Sequence, residues 1–587
     1  MKLIFSRSAS LSIIFALCLI AFVIKINQLA FVEAGQDQTS YIFWLQSIFN
    51  SKNFFPTILE KFNFFSSLMI DENSFLNSVL KTIYNSPTNI FTIVSLLWFG
   101  LGSLILSASV QNQIILSIFA NSLCLYFFSS YLFYFVKEKK KNNQILLISI
   151  LIFYFLSSSS FIHGFSTHGT HNVGVLFLIL ATIFLEKYIQ KVESNKLNLK
   201  TKLQLIFFQS LAFYAMYTNI FLIPTAFVIS IFFINLNIKK KISEIFNYLF
   251  LTTITIIPSL VLLIIRFRTF ETASDQSFIY WGKFVFNLNN NIEINFLINF
   301  YDNFIRWYSF NTLIFGKLIF ILSFLGLFLA VKKFKFYFLF SISISHLIIS
   351  ILMAGFTYAQ YRTAAYLIPF NAFGLGFLIY YSIEFIFKIK SNKKFIFPYI
   401  LLLVTSLIFI SKDLIRNYQE ILKPELIQAD WSRKYSKDSV DYWKKILKKI
   451  EQNIPKESVV ITSNNSQRII LSSHDHLDKN FNYFGALDSL DYKPSEVKKL
   501  IYNNRLTNSL NLNNNIFLIS FEIINSDLQN QKDTDAIEVK KKYLIELLCN
   551  IKNELCNKKF VLHNIIDINS SLLFFNPWNK ILIYRLE

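Results

Sequence analysis

Between residues 9 and 411 the sequence alternates lipid-length apolar stretches with polar connections, and every second connection collects the lysine. An α-helix needs about 20 apolar residues to cross the hydrocarbon core of a bilayer. Lys and Arg gather in the cytoplasmic loops between such helices. The pattern predicts eleven spans, near 9–30, 112–136, 145–162, 171–186, 203–217, 219–236, 248–265, 312–331, 337–354, 364–387 and 395–411. With Lys2 and Arg7 in the cytoplasm, the cytoplasmic connections hold Lys137, Lys139, Lys140 and Lys141, then Lys187, Lys191, Lys196, Lys200 and Lys202. Later ones hold Lys239, Lys240 and Lys241, then Lys332, Lys333 and Lys335, then Lys388, Lys390, Lys393 and Lys394. The short opposite connections, near 163–170, 217–219 and 355–363, contain one basic residue, Arg362. The expected fold class is a polytopic α-helical membrane protein.

Composition agrees with that reading. The chain is 53% hydrophobic and 16% charged, whereas soluble domains carry about 25% charged residues. The 67 Phe, with abundant Ile, Lys and Asn, read as the codon bias of an AT-rich genome and are assigned no site. The net charge of +21 sits largely beside apolar segments, where it sets orientation and meets anionic lipid headgroups. No nucleic-acid-binding motif accompanies it, so no nucleic acid partner is expected. Residues 9–30 form a long run without a small-residue cleavage site and read as an uncleaved first span. Residues 88–109 are apolar enough to span, but as a span they would invert every later lysine cluster. They are expected to form an interfacial or re-entrant helix sheltered by the bundle.

Two outer connections are long, 31–111 and 266–311. After residue 411 the sequence turns Lys/Asn/Asp-rich, with strand-like runs at 458–462, 515–520, 560–567 and 580–585 and helical patterns at 437–452, 494–504 and 537–552. Residues 412–587 are therefore expected to form a soluble α/β domain, placed outside the cytoplasm by the odd number of spans. Cys18 and Cys124 lie in apolar runs as packing residues. Cys549 and Cys556, on one straight helix, would stand roughly 10 Å apart along its axis, too far for a disulfide. Free thiols are the expectation; a helix break near Asn550–Asn553 would permit a bridge.

The first outer connection opens with Val32-Glu33-Ala34-Gly35-Gln36-Asp37-Gln38-Thr39-Ser40-Tyr41, two carboxylates four residues apart just after the first span. Partial desolvation there would raise a carboxylate's pKa and suit it to accept a proton. A solvated loop acid capping a helix near Thr39 is the plainer reading. Asp37-Gln38-Thr39-Ser40-Tyr41 resembles the Asp-Glu-x-x-Tyr motif of the GT-C fold glycosyltransferases, among them protein O-mannosyltransferases and bacterial aminoarabinose transferases. Gln38 stands where that family usually has an acid. The resemblance covers residues 1–411 and implies a bacterial inner-membrane enzyme of cell-envelope glycan or glycolipid assembly. It implies a polyprenyl-phosphate-linked sugar as donor and a lipid, glycan or protein hydroxyl as acceptor, with inversion at the sugar. Asp37 would be the catalytic base, with Glu33 as the alternative, and residues 88–109 an interfacial helix. The tail lacks a Trp-Trp-Asp motif, which disfavours transfer of a whole oligosaccharide.

The second outer connection, Phe161-Ile162-His163-Gly164-Phe165-Ser166-Thr167-His168-Gly169-Thr170-His171-Asn172, holds three histidines without a Cys or carboxylate. His168, His171 and Asn172 are therefore candidates for polar contact with sugar or phosphate, against a plain reading of helix capping; no metal set is assigned, although a divalent ion stays open. Arg362, in Tyr361-Arg362-Thr363-Ala364-Ala365-Tyr366, is the lone basic residue of the short outer connections. A guanidinium suits a departing phosphate, and the family often has a Tyr-Arg pair before this late span, which adds Tyr361. Arg266, Arg268 and Lys61 are further phosphate candidates, each also explicable as an interfacial anchor. His346, in a span among Ser341, Ser343 and Ser345, fits a neutral histidine bonding a neighbouring helix. His474-Asp475-His476 with Asp478 reads as a polar loop. Two rival functions remain, a transporter or flippase of lipid or polysaccharide and a surface-polysaccharide polymerase or ligase.

Overall fold

The computed structural model describes residues 7–27, 93–106, 110–138, 169–216, 218–269, 295–352, 365–389, 437–462, 482–485, 515–522, 552–568 and 579–587. It also describes residues 510, 538, 541, 542, 544–546, 548 and 549. The chain forms two compact units, a helical one holding Ile114–Pro424 and one holding Glu425–Glu587. The expected spans 145–162 and 395–411 and the helix 494–504 lie outside the described residues.

The helical unit contains α1 (Arg7–Asn27), α2 (Ile93–Leu106), α3 (Val110–Glu138), α4 (Gly169–Glu193), α5 (Leu199–Ala215) and α6 (Thr218–Phe233). It continues with α7 (Ile238–Thr269), α8 (Asn295–Phe315), α9 (Lys317–Phe334), α10 (Tyr337–Leu352) and α11 (Ile368–Ile389), the last preceded by a 3-10 turn at Ala365–Leu367. By length and composition alone, His171–Glu193 is the one helix among the described residues long and apolar enough to cross a membrane; Ile115–Tyr131, Thr218–Phe233 and Tyr337–Leu352 are shorter apolar helices. α2 has 14 residues, about 21 Å at 1.5 Å per residue, and packs on α3 with the Trp98 indole donating to Leu116 O at 3.2 Å.

One expectation is corrected. The connection 266–311 is not a plain loop, because residues 295–315 are helical and the apolar run near 312 is broken at Gly316. Gly316 has φ 84°, a backbone that residues with a Cβ rarely adopt, so α8 ends there and α9 starts afresh. On α8, Asn303, Trp307 and Asn311 recur every fourth residue and are buried, while Phe300, Tyr301, Phe304 and Ile305 are exposed.

That distribution runs through the whole unit. Exposed apolar side chains form stripes at helical spacing: Phe15, Leu19 and Val23 on α1; Leu199, Leu203 and Phe207 on α5; Phe246, Phe250, Ile254 and Ile257 on α7; Ile321, Leu325 and Phe328 on α9. The interior is largely apolar too, and polar side chains are buried within it, among them Asn121, Gln209, Asn219, Ser345, His346 and Asn371. Gln209 donates to Thr252 at 2.9 Å and accepts from Tyr248 at 3.0 Å, which ties α5 to α7. The Trp307 indole donates to His346 Nδ1 at 2.9 Å, leaving the proton of a neutral imidazole on Nε2. This is the interhelical role expected of His346. α9 and α11 cross so closely that a Cβ on Gly326 would overlap the Gly374 carbonyl.

Three of the lysine-bearing connections, those at 187–202, 239–241 and 332–335, meet at one end of the unit. Lys335 pairs with Glu193 at 2.8 Å, the Tyr337 hydroxyl donates to the same carboxylate, and Lys240 reaches Asn195. Buried Glu186 accepts from the Phe338 backbone N–H at 2.9 Å, a carboxylate seated on the N-terminus of α10, where the helix dipole favours negative charge.

The second unit holds α12 (Lys437–Asn453) and five strands, β1 (Val459–Thr462), β2 (Asn482–Gly485), β3 (Ile516–Glu522), β4 (Phe560–Asp567) and β5 (Lys580–Leu586). The sheet order is β2-β1-β3-β5-β4. β1 pairs parallel with β2 and β3; β5 is antiparallel to β3 and to β4. α12 covers one face, packing Ile446 and Ile450, with Ile454 just beyond its end, against Val460, Ile519 and Ile583. Leu544 and Leu548 cover the other, against Ile461, Leu518 and Leu582. The cysteine expectation is also corrected: Cys549 and Cys556 form a disulfide. The chain leaves its helix and turns back through a 3-10 turn at Asn553–Leu555, which brings the two Cα atoms to 4.5 Å, within disulfide reach.

Candidate functional site

Opposite the lysine-bearing end, the starts of α4, α6 and α11 come together around one polar cluster. α4 begins where the Gly- and Thr-rich stretch gives way to an apolar run, and its first turn carries His171 and Asn172. His171 is 4% exposed and Asn172 2%. Asn172 Nδ2 donates to Ser117 Oγ on α3, and Asn121 Nδ2 donates to Asn172 Oδ1 at 3.4 Å. His171 Nδ1 lies 3.2 Å from the hydroxyl of Tyr366, and the two rings meet edge to face at 5.8 Å. Tyr366 is fully buried in the 3-10 turn that leads into α11.

Gly174, one turn further along α4, makes room for this arrangement. A Cβ there would stand 2.7 Å from the Tyr366 hydroxyl oxygen and 2.7 Å from Met216 Cβ. Its carbonyl accepts from Asn219 Nδ2 at 3.0 Å, and the same amide nitrogen donates to Ala212 O at 2.9 Å. Ser95, near the start of α2, donates to Ala215 O at 2.6 Å at the end of α5. Thus α2, α4, α5, α6 and α11 all contribute to one end of the unit.

Of the residues singled out in the sequence, the structure brings His171 into contact with Tyr366, the last residue of the Tyr361–Tyr366 stretch. Both His171 and Asn172 have protein partners and are buried, so they brace the cluster from behind rather than present a free surface. Arg266 and Arg268 lie in the last turn of α7. Asp37, Glu33, Lys61, His168, Tyr361 and Arg362 lie outside the described residues. Tyr366, Asn219, Thr218, Ser117 and Asn121 went unremarked as functional residues. A polar Thr-Asn pair interrupting an apolar stretch at 218–219 was the available signal. Among the described residues no group of three His, Cys, Asp or Glu side chains stands close enough to hold a metal.

The cluster is built of hydroxyl, amide and imidazole groups. Such a set can orient and hydrogen-bond hydroxyl-rich ligands. Among the described residues it carries no guanidinium or ammonium. No protein-family model matches the chain, and no curated protein matches it.

Proposed function

We propose that the protein is a polytopic inner-membrane glycosyltransferase that takes a sugar from a polyprenyl-phosphate carrier to a hydroxyl acceptor at the extracytoplasmic face. The contact between His171 and Tyr366 carries this reading, because it joins the start of α4 to the start of α11 at the end away from the lysines. Those two segments follow directly on the connections bearing His168 and Tyr361-Arg362. The exposed apolar stripes support a bilayer around the helical unit, since lipid-facing positions favour apolar side chains. The disulfide supports an oxidising, extracytoplasmic setting for the sheet unit.

In this reading Asp37, with Glu33 as alternative, draws the proton from the acceptor hydroxyl as its oxygen attacks the anomeric carbon. The carrier phosphate leaves from the opposite face, giving inversion. Arg362, with Arg266, Arg268 and Lys61 as further cations, neutralises the charge that develops on the phosphate. A carrier for the same lipid is the second reading, favoured by the buried polar line Ser343, His346 and Ser350 along α10.

The test is transfer from a panel of polyprenyl-phosphate sugars by wild type, Asp37→Asn and Arg362→Ala. The proposal expects Asp37→Asn to lose at least 100-fold, in line with removal of a general base. Full activity in that variant, or no sugar release from any donor by wild type, would discard it.

A further inference from the structure

We propose that Thr218 and Asn219, at the N-terminus of α6, form a subsite that binds a hydroxyl of the donor sugar. The ligand's identity rests on the glycosyl-transfer reading; the subsite itself rests on two polar atoms left without a partner among the described residues. α6 has 16 residues, so its first turn is a genuine helix end. Asn219 is fully buried, and its amide orientation is fixed because Nδ2 donates to both Gly174 O and Ala212 O. Among the described residues, that leaves Oδ1 as a buried acceptor with no donor, and the neighbouring Thr218 hydroxyl, 1% exposed, also has no partner.

Buried polar atoms are almost always hydrogen-bonded, so two adjacent exceptions at one helix end call for a group that satisfies both. Their demands are specific. Oδ1 needs a donor, and the Thr218 hydroxyl can donate or accept. A sugar carries the groups for both: one hydroxyl can give its hydrogen to Asn219 Oδ1, and a hydroxyl oxygen can receive one from Thr218. A phosphate oxygen cannot donate to Oδ1, so the pair selects a neutral polyol group over the carrier's anionic part. Through Gly174 the pair is contiguous with Tyr366 and His171, which places the subsite in the polar cluster at this end of the unit.

The experiment compares wild type, Thr218→Val and Thr218→Ser in detergent. Without ligand, Thr218→Val is expected to keep or slightly raise Tm, because it removes a hydroxyl that has no protein partner. Wild type and Thr218→Ser are expected to bind polyprenyl-phosphate mannose about tenfold tighter than bare polyprenyl phosphate, roughly one hydrogen bond's worth. Thr218→Val should bind the two alike. A lowered Tm of the unliganded Thr218→Val protein, or an undiminished preference for the sugar-bearing lipid, overturns the subsite. Free mannose separates the two proposals. If wild type ignores the lipid-linked sugar yet binds mannose in a Thr218-dependent way, the glycosyl-transfer reading falls and the subsite stands. If it binds neither, the subsite falls.

Discussion

In the helical unit the buried positions include Asn121, Asn172, Gln209, Asn219, Asn311, His346 and Asn371, while Phe, Leu and Ile stripes face outward. In the sheet unit Ile446, Val460, Phe517, Ile519 and Ile583 are buried and the exposed side chains are largely charged, Lys448, Lys449, Glu451, Lys558 and Lys559 among them, with Val561, Leu562 and Ile565 of β4 the exposed large apolar ones among the described residues. There the buried polar side chains among the described residues are Ser458, Thr462 and Ser520. Each unit turns outward the side chains that the surroundings proposed for it would solvate. Water rewards burial of apolar area, whereas helices in lipid gain nothing from hiding leucine and associate through small residues and hydrogen bonds. This contrast is what the membrane setting proposed for the helical unit requires, and in that proposal the lysine-bearing end faces the cytoplasm.

The sharpest attack on this contrast is on helix packing. Gly326→Val would force the α9–α11 crossing apart, since even a Cβ has no space against the Gly374 carbonyl. A loss above roughly 4 kcal/mol, seen as failure to purify a folded protein, is expected for overpacking without room to relax. Leu325→Lys separates the two solvents directly. Leu325 is 48% exposed in the middle of α9, so in water the change would fall within about 0.5 kcal/mol. In a bilayer it should cost roughly 3 kcal/mol, read as lost membrane insertion, while Leu562→Lys on the sheet unit should be near neutral.

Removing the disulfide by Cys549→Ser should cost about 2–3 kcal/mol for so short a loop. Denaturant titration should show that loss in the sheet unit and leave the helical unit unchanged. The smallest effect concerns Tyr584, whose hydroxyl is pushed up to about 12, first by burial and then by the Glu522 and Glu538 carboxylates. Below pH about 10, the ordinary tyrosine value, both folded and unfolded states hold the proton and nothing is lost. Between about 10 and about 12 the unfolded chain ionises first, so stability falls as pH rises. Tyr584→Phe should soften that alkaline decline in the sheet unit.

Much of this organisation could be read from residues alone. The runs at 458–462, 515–520, 560–567 and 580–585 became β1, β3, β4 and β5, because β-branched and aromatic residues bounded by polar stretches have few other uses. β2 escaped because Asn-Tyr-Phe-Gly is short, starts with Asn and ends with Gly, and gains its place only by pairing with β1. α8 escaped for a different reason. Its protein-facing positions are Asn303, Trp307 and Asn311 and its outward ones are apolar, the reverse of the amphipathic pattern that marks a helix on a soluble core. The disulfide was hidden because spacing measured along a straight helix ignores the turn at Asn553–Leu555. At the candidate site, His171 and Asn172 stood out as polar residues opening an apolar run. Their partners Tyr366, Ser117 and Asn121 lie far off in sequence, and only the packing of α3, α4 and α11 joins them.

The proposed division of the molecule between two aqueous compartments is tested most directly by a membrane-impermeant thiol reagent on intact cells carrying Asn195→Cys or Lys558→Cys. Asn195 sits in the exposed turn at the lysine-bearing end and Lys558 is exposed in the sheet unit. Lys558→Cys should react from outside, and Asn195→Cys only after the cells are opened. Reaction of both from the same side, or the reverse order, would contradict the account.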